Sequence, residues 1–186
     1  MCHGSVIGWA STALTPTMIT GEHVIEVGSY DVNGTVRPLV EAHNPASYVG
    51  VDIEPGPGVD LIANVEQLPT MYPDGFGLVI STEMLEHVED WRAAFTGLAA
   101  ITKPGGHLII STRSPGFGYH PYPVDNWRYP VETTATIIET LGLTILECIA
   151  DTDPASPGVF AIATKPVGWK PTGGTLDKIH IPGPFG

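Results

Sequence analysis

Val24-Ile25-Glu26-Val27-Gly28-Ser29-Tyr30-Asp31-Val32-Asn33-Gly34 opens with a short, mostly apolar run and continues as a turn-rich loop. A run of this length bounded by turn residues reads as a strand buried on both faces. Gly28 lets the backbone pass close to a ligand, and Asn33-Gly34 suits a tight turn with positive φ. A helix is expected to begin near Thr35. Pro38 then falls in its first turn, where a missing N–H costs nothing.

Outward from this stretch the same pattern recurs. Near-continuous apolar runs stand at Tyr48–Ile53, Val59–Ile62, Gly77–Ser81, His107–Thr112, Leu143–Ile149 and Val159–Thr164. Helical stretches separate several of them. In Asp90–Thr102, residues Trp91, Ala94, Phe95, Leu98 and Ile101 share one face before Pro104-Gly105-Gly106. In Val131–Leu141, Pro130 marks the start, Val131, Ala135, Ile138 and Leu141 make the stripe, and Gly142 supplies the stop. Alternating strands and helices require right-handed crossovers, so the fold class is α/β, a doubly wound, mostly parallel sheet of about seven strands. The expected organisation is an N-terminal segment over residues 1–20 with no clear period, one domain over 21–165, and a Pro/Gly-rich tail over 166–186 that hugs the surface or is disordered.

Composition narrows the function classes. A chain of 186 residues suits a single core, and 42% hydrophobic with 15% charged residues is ordinary for a globular protein. Twenty acidic side chains against 8 basic ones give a net charge of −12, which repels a phosphate backbone and argues against non-specific nucleic-acid binding. Cys2 and Cys148 have neither disulfide nor metal-ligand spacing and are expected as free thiols. The first twenty residues lack a basic n-region and no apolar run has the length of a membrane span, so a cytoplasmic protein without membrane attachment is expected.

In open parallel sheets a ligand sits beyond the carboxyl ends of the strands, so chemistry is sought just after each run. Asp52 ends the second run about twenty residues past the first loop, where a carboxylate can accept ribose hydroxyls. Asn64, after the third, carries an amide that can both donate and accept, as an adenine edge requires. The fourth leads into Ser81-Thr82-Glu83-Met84-Leu85-Glu86-His87-Val88, and Lys103-Pro104-Gly105-Gly106 precedes the fifth.

Taken in order, Glu26-Val27-Gly28, Asp52, Asn64-Val65, the Ser81–Val88 stretch and Lys103–Gly106 resemble the class I S-adenosylmethionine-dependent methyltransferases, in their small methyltransferase-domain branch. The resemblance spans about residues 22–165. It implies six parallel strands with the last antiparallel, and S-adenosylmethionine across the ends of the first strands, leaving as S-adenosylhomocysteine. Glu26 would hold the methionine amino group, and Gly28 and Ser29 would line methionine and ribose. Asp52, with Ile53 beside it, would take the ribose, Asn64 and the Val65 backbone would meet adenine, and Ser81 and Glu83 would border the methyl donor. The family's Gly-x-Gly-x-Gly pattern is broken here by Tyr30 and Val32.

Methyl transfer needs an in-line nucleophile more than it needs acid–base help. Where the acceptor must lose a proton, His87 is the candidate base, with a helix-start packing role as the alternative. A second cluster, Phe117–Tyr129, sits on the acceptor side, and Tyr119, His120, Asp125, Trp127 and Arg128 are expected to contact a small-molecule acceptor. The competing reading is a structural lid in which Arg128 pairs with Asp125 and Trp127 packs. His120 and Asp125 are ligand types, but two without a third make no metal site, and none is expected. A nicotinamide dehydrogenase would need a Gly-x-Gly-x-x-Gly loop, and a DNA amino-methyltransferase a Pro-Pro-Tyr or Pro-Pro-Phe motif; both are absent. The acidic pair of an aminopropyltransferase is not distinct. The remaining alternative to catalysis is a protein that binds S-adenosylmethionine on the same fold without turnover.

Overall fold

Seven strands form one sheet in the order β3-β2-β1-β4-β5-β7-β6. They are β1 (His23–Val27), β2 (Ser47–Asp52), β3 (Leu61–Ile62), β4 (Phe76–Thr82), β5 (Thr102–Arg113), β6 (Thr144–Asp151) and β7 (Gly158–Thr164). The computed structural model describes residues 4–121, 123–170 and 176–185, so Cys2, Tyr122 and part of the tail fall outside the description. β1 pairs in parallel with β2 and β4, β2 with β3, and β4 with β5, whereas β7 runs antiparallel between β5 and β6. All seven residues of β4 are buried, as befits a central strand covered on both faces.

Side-chain alternation splits the core in two. Leu78 and Ile80 of β4 join Val24 on one face, under α1 (Gly4–Ala13), α2 (Pro16–Ile19) and α3 (Arg37–Glu41). Val79 and Phe76 join Ile25 and Val27 on the other, under α4 (Leu68–Met71), α5 (Trp91–Ile101) and α6 (Val131–Thr140). Asp90 caps α5 by accepting from the backbone N–H of Arg92 and Ala93. Gly142, at φ 74°, ends the turn after α6 in the conformation that favours glycine.

Three elements differ from expectation. The N-terminal segment, in which no period is evident, contains α1, with Val6, Ala10 and Ala13 buried at helical spacing. Its buried stripe is built mainly from small residues, so it stands out weakly from Gly4, Ser5, Gly8 and Ser11 around it. Trp9 fixes the docking: its ring stacks on Phe160 at 4.6 Å and its Nε1–H donates to Glu147 at 2.8 Å. β3 is only two residues long because the expected run from Val59 reaches register with β2 at Leu61. β5 begins before Pro104-Gly105-Gly106 instead of after it; the register opposite β4 jumps from Thr102 to His107, so these residues form a bulge with Gly105 at φ 79°.

Beyond the sheet, Lys165 is buried and its ammonium donates to Asp74 and to the backbone carbonyls of Ala99 and Thr102, neutralising the end of α5. Leu176 and Ile181 in the tail are buried against the α5–α6 face, and Arg92 donates to the carbonyls of Leu176 and Ile179. Cys148 is a free, half-buried thiol; burial, then Glu132 and Glu147, push it up to about 11. Its alkylation by iodoacetamide, followed by mass spectrometry of the Cys148 peptide, is therefore expected to be slow at pH 7.5 and to accelerate only toward pH 11. A rate at pH 7.5 equal to that of a free thiol peptide would contradict this environment.

Candidate active site

Strand order reverses between β1 and β4, and loops leaving neighbouring strands on opposite faces of the sheet diverge there. A cavity of about 480 Å³ lies at this point, lined from β1, β2, β3 and β4 by Val27, Gly28, Asp52, Asn64, Glu83 and Met84, among others. Gly28 holds φ 87°, and a Cβ on it would lie 2.5 Å from Cβ of Met84. Only glycine lets the first loop and the turn after β4 approach so closely. The loop is tied to β2: Gly28 and Ser29 donate their N–H groups to Val51 O, and Tyr30 N–H donates to Asp52 Oδ2 at 3.1 Å.

Of the residues expected around a cofactor, Gly28, Asp52, Ile53, Asn64, Val65 and Glu83 line this cavity. Ile53 is 56% exposed there, an apolar side chain left open to a ligand. Asn64 uses its Oδ1 to accept from Glu66 N–H, which closes the turn after β3. Glu26, Ser29 and Ser81 do not line it. Glu26 sits on the α1–α3 face of β1, where Tyr48 and Thr82 donate to its carboxylate; burial pushes that carboxyl up against these bonds. Ser29 packs over Gly50, and Ser81 is fully buried within β4. Strand alternation explains Glu26, which shares its face with Val24 and Ile80, whereas Ser81 lies on the face of Val27 and Val79 and is covered there.

Glu83 has φ 56°, unusual for a residue with a side chain, and is buried. Its carboxyl meets the Arg113 guanidinium and accepts from Ser111 Oγ at 2.9 Å. Burial, then the neighbouring Glu86, push it up to about 8 despite Arg113. Arg113 also lies 3.7 Å from Asp151 and donates to Ser156 O.

The turn after β4 and the loop after β5 are stitched together. Asn126 and Trp127 donate backbone N–H groups to Glu86 O, Trp127 Nε1–H donates to Val88 O, and Tyr129 OH donates to Leu85 O. Pro123 and Val124 thereby line the cavity together with His87 and Val88. His87 Nδ1 is 2.5 Å from the carbonyl of Val124, so it carries the proton and Nε2 the lone pair. The acceptor-side expectation fares unevenly. Tyr119 is exposed against Phe185, away from the cavity. Asp125 and Arg128 are buried in a two-pronged ion pair, and Arg128 also donates to the carbonyls of Phe117, Gly118 and Trp127. Against the upward push of burial, the Arg128 fork and the His120 N–H hold the Asp125 carboxyl below its usual value. Asp125, Trp127 and Arg128 have their side-chain polar atoms committed inside the protein, where they shape the loop. His120 does approach the cavity's edge, its ring 4.9 Å from that of His87. Met84 and Val88, within the Ser81–Val88 stretch, and Pro123 and Val124 are apolar wall residues that residue type alone does not set apart, and the stitched loops place them on the cavity.

A family model described as a methyltransferase domain matches residues 10–144. The chain belongs to the class I S-adenosylmethionine-dependent methyltransferase family. It is 32% identical over 120 residues, 57% of its length, to the ubiquinone biosynthesis O-methyltransferase of Bordetella bronchiseptica, of which it spans 48%. The chain thus covers about half the length of that curated relative. Among solved structures, the 1,6-didemethyltoxoflavin-N1-methyltransferase of Burkholderia thailandensis, with bound 1,6-didemethyltoxoflavin and S-adenosylhomocysteine, superposes with a TM-score of 0.70 at 15% identity, covering 88% of this chain and 79% of that one. The N-methyltransferase NodS of Bradyrhizobium japonicum, in complex with S-adenosyl-L-homocysteine, gives 0.61 at 16% identity and covers 89% of each chain. At such identities the two structures attest to a shared methyltransferase fold with its antiparallel β7. Among the described residues no helix is long and apolar enough to cross a membrane.

Proposed function

We propose that this methyltransferase domain moves the methyl group of S-adenosylmethionine to an oxygen or nitrogen nucleophile of a small molecule, releasing S-adenosylhomocysteine. The observation that carries the reading is the cavity at the strand-order reversal, with Asp52 on one wall, the Gly28 turn against Met84, and Ile53 and Val65 as apolar surface. Its volume falls in the roughly 300–1,000 Å³ range of pockets that enclose small ligands. In this reading Asp52 accepts the ribose hydroxyls, Ile53, Asn64 and Val65 flank adenine, and Gly28 meets the methionine end, while Glu83 sits toward the methyl group. The nucleophile's lone pair forms the new bond to carbon as the carbon–sulfur bond breaks and sulfur keeps the pair. The protein's part is to align the two and exclude water. His87 lies on the acceptor side, where its Nε2 would accept the proton that the acceptor loses.

Calorimetry should show S-adenosylmethionine and S-adenosylhomocysteine binding and no heat with NAD. Neither heat nor thermal stabilisation with either adenosyl compound at millimolar concentration would overturn the reading. Asp52→Ala should weaken cofactor binding by about 1–3 kcal/mol, the scale of hydrogen bonds to a charged group, in a protein that still folds. An unchanged affinity would place the ribose elsewhere.

A further inference from the structure

Glu86, His87 and His120 come from two segments that the sequence does not connect, yet one ligand atom from each lies within 4.8 Å of the others. Their surroundings are those of a prepared coordination site. Glu86 is fully buried; Thr112 donates to its Oε2 at 2.8 Å, while Oε1 has no hydrogen-bond partner. A buried carboxylate oxygen without a partner is costly, and it points to a missing cation. His87 Nε2 stands 3.9 Å from that oxygen, with its lone pair fixed by the Nδ1–H donated to Val124 O. This is how a metal-ligating histidine is held: the second ring nitrogen donates to a carbonyl, which sets tautomer and orientation. His120 Nδ1 is buried without a hydrogen-bond partner, 3.6 Å from Asp125 Oδ2, and its ring packs edge-on against Phe117 and His87, each 4.9 Å away between centroids.

We propose that Glu86, His87 and His120 bind a divalent first-row transition-metal ion at the acceptor edge of the cavity. Two imidazoles and one carboxylate suit Zn²⁺, Fe²⁺, Co²⁺ or Mn²⁺ better than Mg²⁺, which prefers an all-oxygen shell. Ligands about 2.1 Å from such an ion stand roughly 3–3.5 Å apart, so on binding all three side chains close in on the ion. Three protein ligands leave a coordination position open, and His87 is itself part of the cavity wall. The open position fits an acceptor oxygen, so the substrate class is a hydroxyl-bearing small molecule. This last step rests on the methyltransferase reading; the metal site does not. His87 is then a ligand, and the ion draws the acceptor's oxygen in place of a histidine acting as base.

The test is titration of Zn²⁺ and of Mn²⁺ into the metal-free protein, against a chromophoric chelator, without cofactor. A Cys2→Ser, His3→Ala background removes the N-terminal pair as a competing ligand set. One equivalent is expected to bind with micromolar or tighter affinity and to raise the melting temperature. His120→Ala, at a partly exposed position that can lose its ring without unfolding, and Glu86→Gln, which keeps the shape and the Thr112 bond, should each weaken binding at least tenfold. No binding at 100 µM metal, or binding unchanged in both variants, would overturn the proposal. Cofactor affinity measured in parallel on the unsubstituted site keeps the two readings apart: no metal binding with S-adenosylmethionine still bound sinks only the metal site, and metal binding without S-adenosylmethionine sinks only the methyltransferase reading.

Discussion

Arg128→Ala is expected to lower stability by about 3–5 kcal/mol, the cost of leaving one member of a buried ion pair without its partner. For a domain of this size that is a fall in melting temperature on the order of 10 °C. Arg128 is 1% exposed, and its guanidinium meets both oxygens of Asp125 and three backbone carbonyls. Those carbonyls belong to Phe117, Gly118 and Trp127, so one side chain gathers the loop whose far end places Pro123 and Val124 on the cavity. Loss of the fork leaves Asp125 charged and buried, with the loop's own carbonyls unsatisfied. Arg128→Lys should recover only part of the loss, because a single ammonium cannot span both carboxylate oxygens and the carbonyls together. Any loss of methyl transfer in these variants should track loss of fold. A variant with unchanged melting and urea midpoints but impaired turnover would restore Arg128 to the acceptor site.

The difference between Arg128 and His120 also marks how far the sequence could be read. Both are polar residues of one aromatic loop, and residue type gives no ground for dividing them. Pairing of Arg128 with Asp125 is legible as one of two readings, because three residues separate them; burial decides it, and burial depends on the tail reaching back so that Pro182 O accepts Arg128 N–H. The strand ends behave differently. Gly28 and Asp52 are legible because each sits at a strand terminus whose position the apolar run fixes. Glu26 was legible as a residue type but not as a direction, since one position along a strand exchanges cleft for helix face. Helix α1 escaped notice because its buried stripe is made chiefly of small residues, and its anchors, Phe160 and Glu147, lie far along the chain. Glu86 is legible as part of the Ser81–Val88 stretch but not in its surroundings: only the crossing of two loops brings both His87 and His120 near its Oε1.

The largest pH-dependent effect is expected at Arg113. This side chain is fully buried and stands between Glu83 on the turn after β4 and Asp151 at the end of β6, with Phe117 beneath its guanidinium at 4.8 Å. Arg113→Leu keeps an apolar body over Phe117 but strands two carboxylates, so a loss of about 3–5 kcal/mol is expected at pH 8. The loss should grow as pH rises above 8, and the sign follows from Glu83. Its folded-state pKa of about 8 lies above the ordinary carboxyl value, so the folded protein holds that proton more tightly than the unfolded chain. Stability from this group is fully present below the ordinary value and is lost as pH rises through about 8. Without Arg113 the charged form is penalised further, so the defect relative to the parent deepens once the parent's Glu83 ionises, above about pH 8. Adding Glu83→Gln to Arg113→Leu removes the titrating group, and the double variant should be more stable than Arg113→Leu at pH 8 and flatter between pH 5 and 8. Urea denaturation of the parent, the single and the double variants at pH 5, 8 and 9.5 measures this. An equal loss at pH 5 and pH 9.5, unaltered by Glu83→Gln, would show that Arg113 stabilises through Asp151 and Ser156 alone, and that Glu83 reaches the cavity wall without its help.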